Sequence, residues 1–171
     1  MTITARVVGI DETIQRLTDY SAELQRRADE MVKRLAQLGY DVAYQIMAGH
    51  IYSGETINSL TIVQNDIAHY TLMASSEALL FFEFGAGTMG AGHPQAGEFG
   101  MGPGTYPGQK HAFDPNGWWF PTDDPNLVIR TDKNGQGWGH SYGNTPHMPF
   151  YNASRRIRDD LEKVAMEVFN T

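Results

Sequence analysis

Over its first 50 residues the chain repeats small or apolar side chains at Ile14, Leu17, Ser21, Leu24, Ala28, Met31, Leu35, Leu38 and Val42. The gaps alternate between three and four, which places all nine on one stripe of a helix. Charged residues such as Arg26, Arg27, Asp29, Glu30, Lys33 and Arg34 fill the intervals and predict a wet opposite face. The spacing predicts a helix over 11–49 with Asp11 as its N-cap. Unbroken, it would run about 55–60 Å, more than the width of a small domain. The expectation is therefore a break near Tyr20 and Ser21 or at Gly39, or else packing against a neighbouring subunit.

The pattern then changes period. Residues 60–64 and 69–74 are rich in β-branched and apolar side chains and flank Asn65 and Asp66, which predicts an antiparallel hairpin. A turn at Ser53 and Gly54 leads through 57–60 into it, so the sheet is expected within 57–84. The run 78–84 is too short for its period to decide between helix and strand.

From 85 to 149 lie all eight prolines and all but four of the 18 glycines. Trp118, Trp119, Phe120, Trp138 and Tyr142 are scattered through this stretch, so it is not featureless low complexity. One short strand is expected at 117–121. A second hairpin is expected from 128–131 and 138–142, about a turn at 132–135. Aromatic side chains on an adaptable backbone suit an assembly contact. A last helix, predicted over 150–169, carries an apolar stripe at Ile157, Leu161, Val164, Ala165 and Val168. Arg155, Arg156 and Arg158 lie near its start, where the helix dipole disfavours cations.

A chain of 171 residues with no cysteine reads as one domain without disulfides, thiolate metal sites or cysteine nucleophiles. Its formal charge of −7 argues against a nucleic-acid-binding module; it fits ordinary solubility, and it does not exclude a surface past which DNA moves without sticking. No stretch reads as a signal peptide or a membrane span, so a soluble protein is expected.

Candidate chemistry is sparse. FFEFGAGTMG (residues 81–90) matches G-x-G-x-x-G at Gly85, Gly87 and Gly90, but a dinucleotide site needs a helix to begin at those glycines. Pro94, Pro103 and Pro107, with six more glycines, forbid one. His50, His69, His93, His111, His140 and His147 show no metal-ligand spacing. Glu83, an acid among large apolar residues, is open to two readings. It is a general acid, or it hydrogen-bonds backbone groups at the start of the loop and fixes its direction.

Three stretches carry a resemblance. HIYSGETINSLTIV (residues 50–63) resembles a long helix ending before Ser/Thr-Gly and an "L-x-x-S-I" strand entry. ALLFFEFGAGT (residues 78–88) resembles "Y-A-x-x-x-E-x-G-T", and PHMPFYNASRRIRDDL (residues 146–161) resembles "P-x-P-F-x-x-P-A". In order and spacing they are similar to the head–tail connector, or tail-completion, proteins of the neck of tailed bacteriophages. Residues 89–145 are far longer than that family's link.

The resemblance implies an α+β fold in which a long N-terminal helix and a C-terminal helix pack on a small antiparallel β-sheet. It implies a non-enzymatic virion protein, made in the host cytoplasm and placed at the head–tail junction. Copies would form a homo-oligomeric ring between connector or adaptor proteins on the head side and a tail tube or terminator protein on the tail side. DNA would pass through transiently, with no cofactor and no membrane. The residues expected to carry assembly and structure are Gly54, Ser59, Leu60, Glu83, Gly85, Gly87, Pro149, Phe150, Trp118, Trp119 and Trp138. A tail terminator or minor tail protein is the neighbouring expectation, and a particle hydrolase using Glu83 is the one from another class.

Overall fold

The computed structural model describes residues 9–50, 54–76, 78–101 and 114–170. Helix α1 spans Ile10–His50 and is unbroken over its 41 residues, about 60 Å. The expected break at Tyr20 and Ser21 or at Gly39 is absent. Gly39 instead admits a neighbour, because a Cβ there would come within 2.7 Å of Ile157 Cδ1 on the C-terminal helix. Asp11 is likewise not the N-cap. The helix opens one residue earlier, where Gly9 at φ 95° accepts the Thr13 N–H, and Asp11 and Glu12 lie in the first turn, favourably placed against the dipole.

After α2 (Gly54–Asn58), strands β1 (Thr61–Asp66) and β2 (His69–Met73) form the predicted hairpin, in register from Thr61 opposite Met73 to Gln64 opposite Tyr70. The sheet expected within 57–84 is shorter than that. Ile57 belongs to α2, and 79–84 form helix α3 (Leu79–Phe84), which ends where Gly85 adopts φ 77°. Ser53 lies outside the described residues, and Gly54 opens α2 rather than a turn.

The glycine-rich stretch is more ordered than a loop. Strands β3 (Ala86–Gly87) and β7 (Gly143–Asn144) pair with each other, and β4 (Trp118–Pro121), β6 (Gly137–Ser141) and β5 (Arg130–Thr131) form a three-stranded antiparallel sheet in that order. Its second hairpin falls where the sequence places it. Residues 102–113, which include Pro103, Pro107 and His111, lie outside the described residues. Helix α4 then runs Pro149–Phe169.

The α+β class stands: a long N-terminal helix and a C-terminal helix with small antiparallel sheets. Two apolar clusters hold the long helices together. Ala43, Met47, Leu60 and Ala153 form one, with Phe82 and Phe150 against it; Leu35, Val164 and Val168 form the other, with Met31, Leu38 and Ile157. Glycine and alanine on α1 let α4 approach closely, so the helices interlock through small-against-large contacts. Asp29 fastens the hairpin to α1. Its Oδ1 accepts the Ala68 N–H at 2.8 Å and both its oxygens accept the Tyr70 hydroxyl, at 3.2 and 3.1 Å. Burial, then the Asp29 hydrogen bond, raises the Tyr70 pKa above its ordinary value.

Candidate functional site: the Glu83 junction and the free end of helix one

Helix α4 begins without a side-chain cap of its own. Met148, at its N-cap, is held in the left-handed region at φ 58°, and Pro149 follows with no N–H to satisfy. The next two donors are met from far along the chain. Glu83 Oε2 accepts the Phe150 N–H and Oε1 accepts the Tyr151 N–H, both at 2.9 Å. The carboxylate thus sits at the positive end of the α4 dipole, where negative charge is stabilised.

Glu83 also reaches into the glycine-rich segment. His93 Nδ1 accepts the Gln95 N–H at 3.0 Å, so in the neutral ring the proton resides on Nε2, which donates to Glu83 Oε1 at 3.2 Å. Both residues are buried, each 7 % exposed. Phe84 and Tyr151 bracket the imidazole, with ring centroids 4.4 and 5.4 Å away. One carboxylate therefore joins α3, the segment around His93 and the start of α4. Glu83 fixes backbone as the structural reading expects, but at α4 rather than at the start of the loop.

The end of α3 returns the contact. The Phe81 carbonyl accepts the Asn144 side-chain amide at 2.9 Å, and the Phe82 carbonyl accepts the His147 N–H at 2.9 Å. Gly85 and Gly87 lie at this crossing with φ of 77° and 65°. A Cβ on Gly85 would stand 2.8 Å from the Asn144 carbonyl oxygen, and one on Gly87 2.8 Å from the Trp118 ring. Side chains are excluded there by both conformation and space.

The other singled-out residues fall around this junction. Pro149 is fully buried, and Phe150 packs on the first apolar cluster with Leu60. Ser59 donates to the Thr56 carbonyl at 2.7 Å and accepts the Ser75 N–H at 3.0 Å, closing the neck of the hairpin. Trp118 lines a cleft of about 650 Å³ with Phe120, Phe82, His50, His140 and His147. Trp119 is on the opposite face of its strand, exposed, with the Arg130 guanidinium 3.9 Å above its ring. Trp138 lies 6.0 Å from the same guanidinium. His147 stacks on His50 at 4.3 Å and on Phe82 at 4.6 Å, and burial, then the charge of His50, lowers its pKa. Among the described residues no group of three or more His, Cys, Asp or Glu gathers as metal ligands. None of the described helices is long and apolar enough to cross a membrane.

A second feature escapes residue-by-residue reading. Every residue from 9 to 26 is exposed except Glu23, including Ile10, Ile14, Leu17, Tyr20 and Leu24. Helix α4 ends beside Arg27, whose guanidinium donates to the Val168 and Phe169 carbonyls at 3.4 and 3.1 Å. The first 25 Å or so of α1 therefore extends past its partner helix with an apolar stripe in water. Compared with protein-family models, curated proteins and solved structures, the chain finds no match.

Proposed function

We propose that the chain is a structural component of the neck of a tailed bacteriophage, where copies form a ring that joins the DNA-filled head to the tail. The observation that carries this reading is the free end of α1. A helix of this length with apolar residues at positions 10, 14, 17 and 24 all in solvent is built to be covered, and a neighbouring copy in a ring covers it. The resemblance of residues 50–63, 78–88 and 146–161 to neck proteins points to the same assembly. The Glu83 junction serves it by fixing the direction in which α4 leaves the glycine-rich segment. A net charge of −7 suits a passage that does not retain DNA.

The test is electron microscopy of lysates from a phage carrying a stop codon in this gene. Filled heads beside separate, finished tails are the expected result. Abnormally long or missing tails would move the role to tail termination or tail building, and normal particles would overturn the reading.

A further inference from the structure

The two long helices are antiparallel. Met47 and Ala43 of α1 meet Ala153 near the start of α4, Gly39 meets Ile157, and Leu35 meets Val164 and Val168 near its end. The free end of α1 begins where α4 stops, so it lies about 30 Å from the start of α4 in the same molecule. These two ends cannot touch within one straight chain. They can touch between copies.

Their charges are opposite. Residues 9–26 carry Asp11, Glu12, Asp19 and Glu23 against Arg16 and Arg26; Glu12 pairs with Arg16 and Glu23 with Arg26 and Arg27, which leaves Asp11 and Asp19 as the acids without an ion pair among the described residues. Residues 149–158, the first three turns of α4, carry Arg155, Arg156 and Arg158 and no acid; Asp159, Asp160 and Glu162 follow in the next turn. Arg156 pairs with Asp160 one turn on. Arg155 and Arg158 are exposed and have no ion pair among the described residues. Arg155, Arg158 and Leu161 follow at intervals of three along one side of α4, and Leu161 is 45 % exposed. The basic patch therefore continues into an apolar one, as the acidic end of α1 carries an apolar stripe. Two free ends packed on each other would instead set like charge against like.

We infer that the outer face at the start of α4, centred on Arg155, Arg158 and Leu161, is the docking surface for the free end of α1 of a second copy of this chain. The contact is heterologous, so each copy offers one end and receives another, and repetition closes a ring or extends a filament. It deepens the neck reading by naming the two faces, and the self-association it describes is measurable without the particle.

The chain has no cysteine, which makes engineered crosslinks unambiguous. The full chain carrying Glu12→Cys with Arg155→Cys, oxidised mildly at high concentration, should give a ladder of dimers, trimers and larger species that collapses on reduction. Each single-cysteine chain should give dimers at most. In sedimentation, Arg155→Glu with Arg158→Glu should weaken self-association by roughly tenfold or more, and adding Asp11→Arg with Glu12→Arg should restore it. All the altered side chains are exposed, and an unchanged far-ultraviolet circular dichroism spectrum verifies folding. Crosslinking through Ile14→Cys alone, with none between 12 and 155, would replace the contact by one between free ends. Self-association untouched by the charge reversals would overturn these faces while leaving a ring in place. A chain that neither associates nor crosslinks would overturn the contact outright. Normal particles in the stop-codon lysate would overturn the neck reading alone.

Discussion

Glu83 accepts three N–H donors from two segments, the one around His93 and the start of α4, and an amide in its place cannot. In Glu83→Gln one terminal group becomes NH₂ and faces a backbone N–H, donor against donor, in a buried site. The expected loss is about 1–3 kcal/mol, read as a lower midpoint in urea unfolding with helix content retained below it. His147 supplies a second residue-level expectation. Its pKa is lowered in the folded chain from the ordinary value near 6.5, so folding favours the neutral ring. Stability from this group is complete above the ordinary value and is lost as pH falls toward the depressed one. The urea midpoint should therefore drop as pH falls below about 6.5, and His147→Phe, which keeps the stack on Phe82, should make the drop shallower. Glu23, held down to about 2 by hydrogen bonds from Arg26 and Arg27, titrates below that window and does not confuse the test.

At the scale of elements, the long helices and both hairpins are legible because each rests on a pattern repeated over many residues or on turn chemistry at a fixed place. The stripe from Ile14 to Val42 admits one period, and Asn65 with Asp66 marks a turn. Residues 78–84 were not decidable, since six or seven apolar residues satisfy either period, and the helix is chosen by what surrounds it. Gly39 misleads for a related reason. A lone glycine in a helical pattern reads as a weak point, whereas its meaning lies on another helix, at Ile157. The Glu83 junction was legible in part: an acid in an apolar run announces a role, but its partners stand 10, 67 and 68 positions away. No local pattern encodes such a cap. The parts that His93 and Asn144 play at the junction, and Asp29 at the foot of the hairpin, have no local signature for the same reason: their importance is wholly tertiary. The free end of α1 carries its own expectation. It relies on surface ion pairs such as Glu12 with Arg16 and is exposed among the described residues, so it is the least protected part of the helix. Amide hydrogen exchange should be fast over 10–26 in the isolated chain and slow in the assembled state. Leu17→Glu should leave the unfolding midpoint within about 0.5 kcal/mol of wild type while removing that protection.

For the whole molecule, the proposed contact would make each copy directional, giving the end of α1 and taking a neighbour at the start of α4. Residues 9–25 make no part of the packed body, because Arg27 is where α4 begins to cover α1, so a chain shortened to start at residue 26 should keep that body. Such a shortened chain still receives a neighbour and can no longer give one. Mixed with intact chains it acts as a stopper, and the yield of closed rings should fall as the intact fraction raised to the copy number rather than in proportion to the dose. Phage yield against the ratio of the two co-expressed forms reads that exponent. The overhang, an apolar stripe that none of the other described residues covers, would thus become a means of counting subunits.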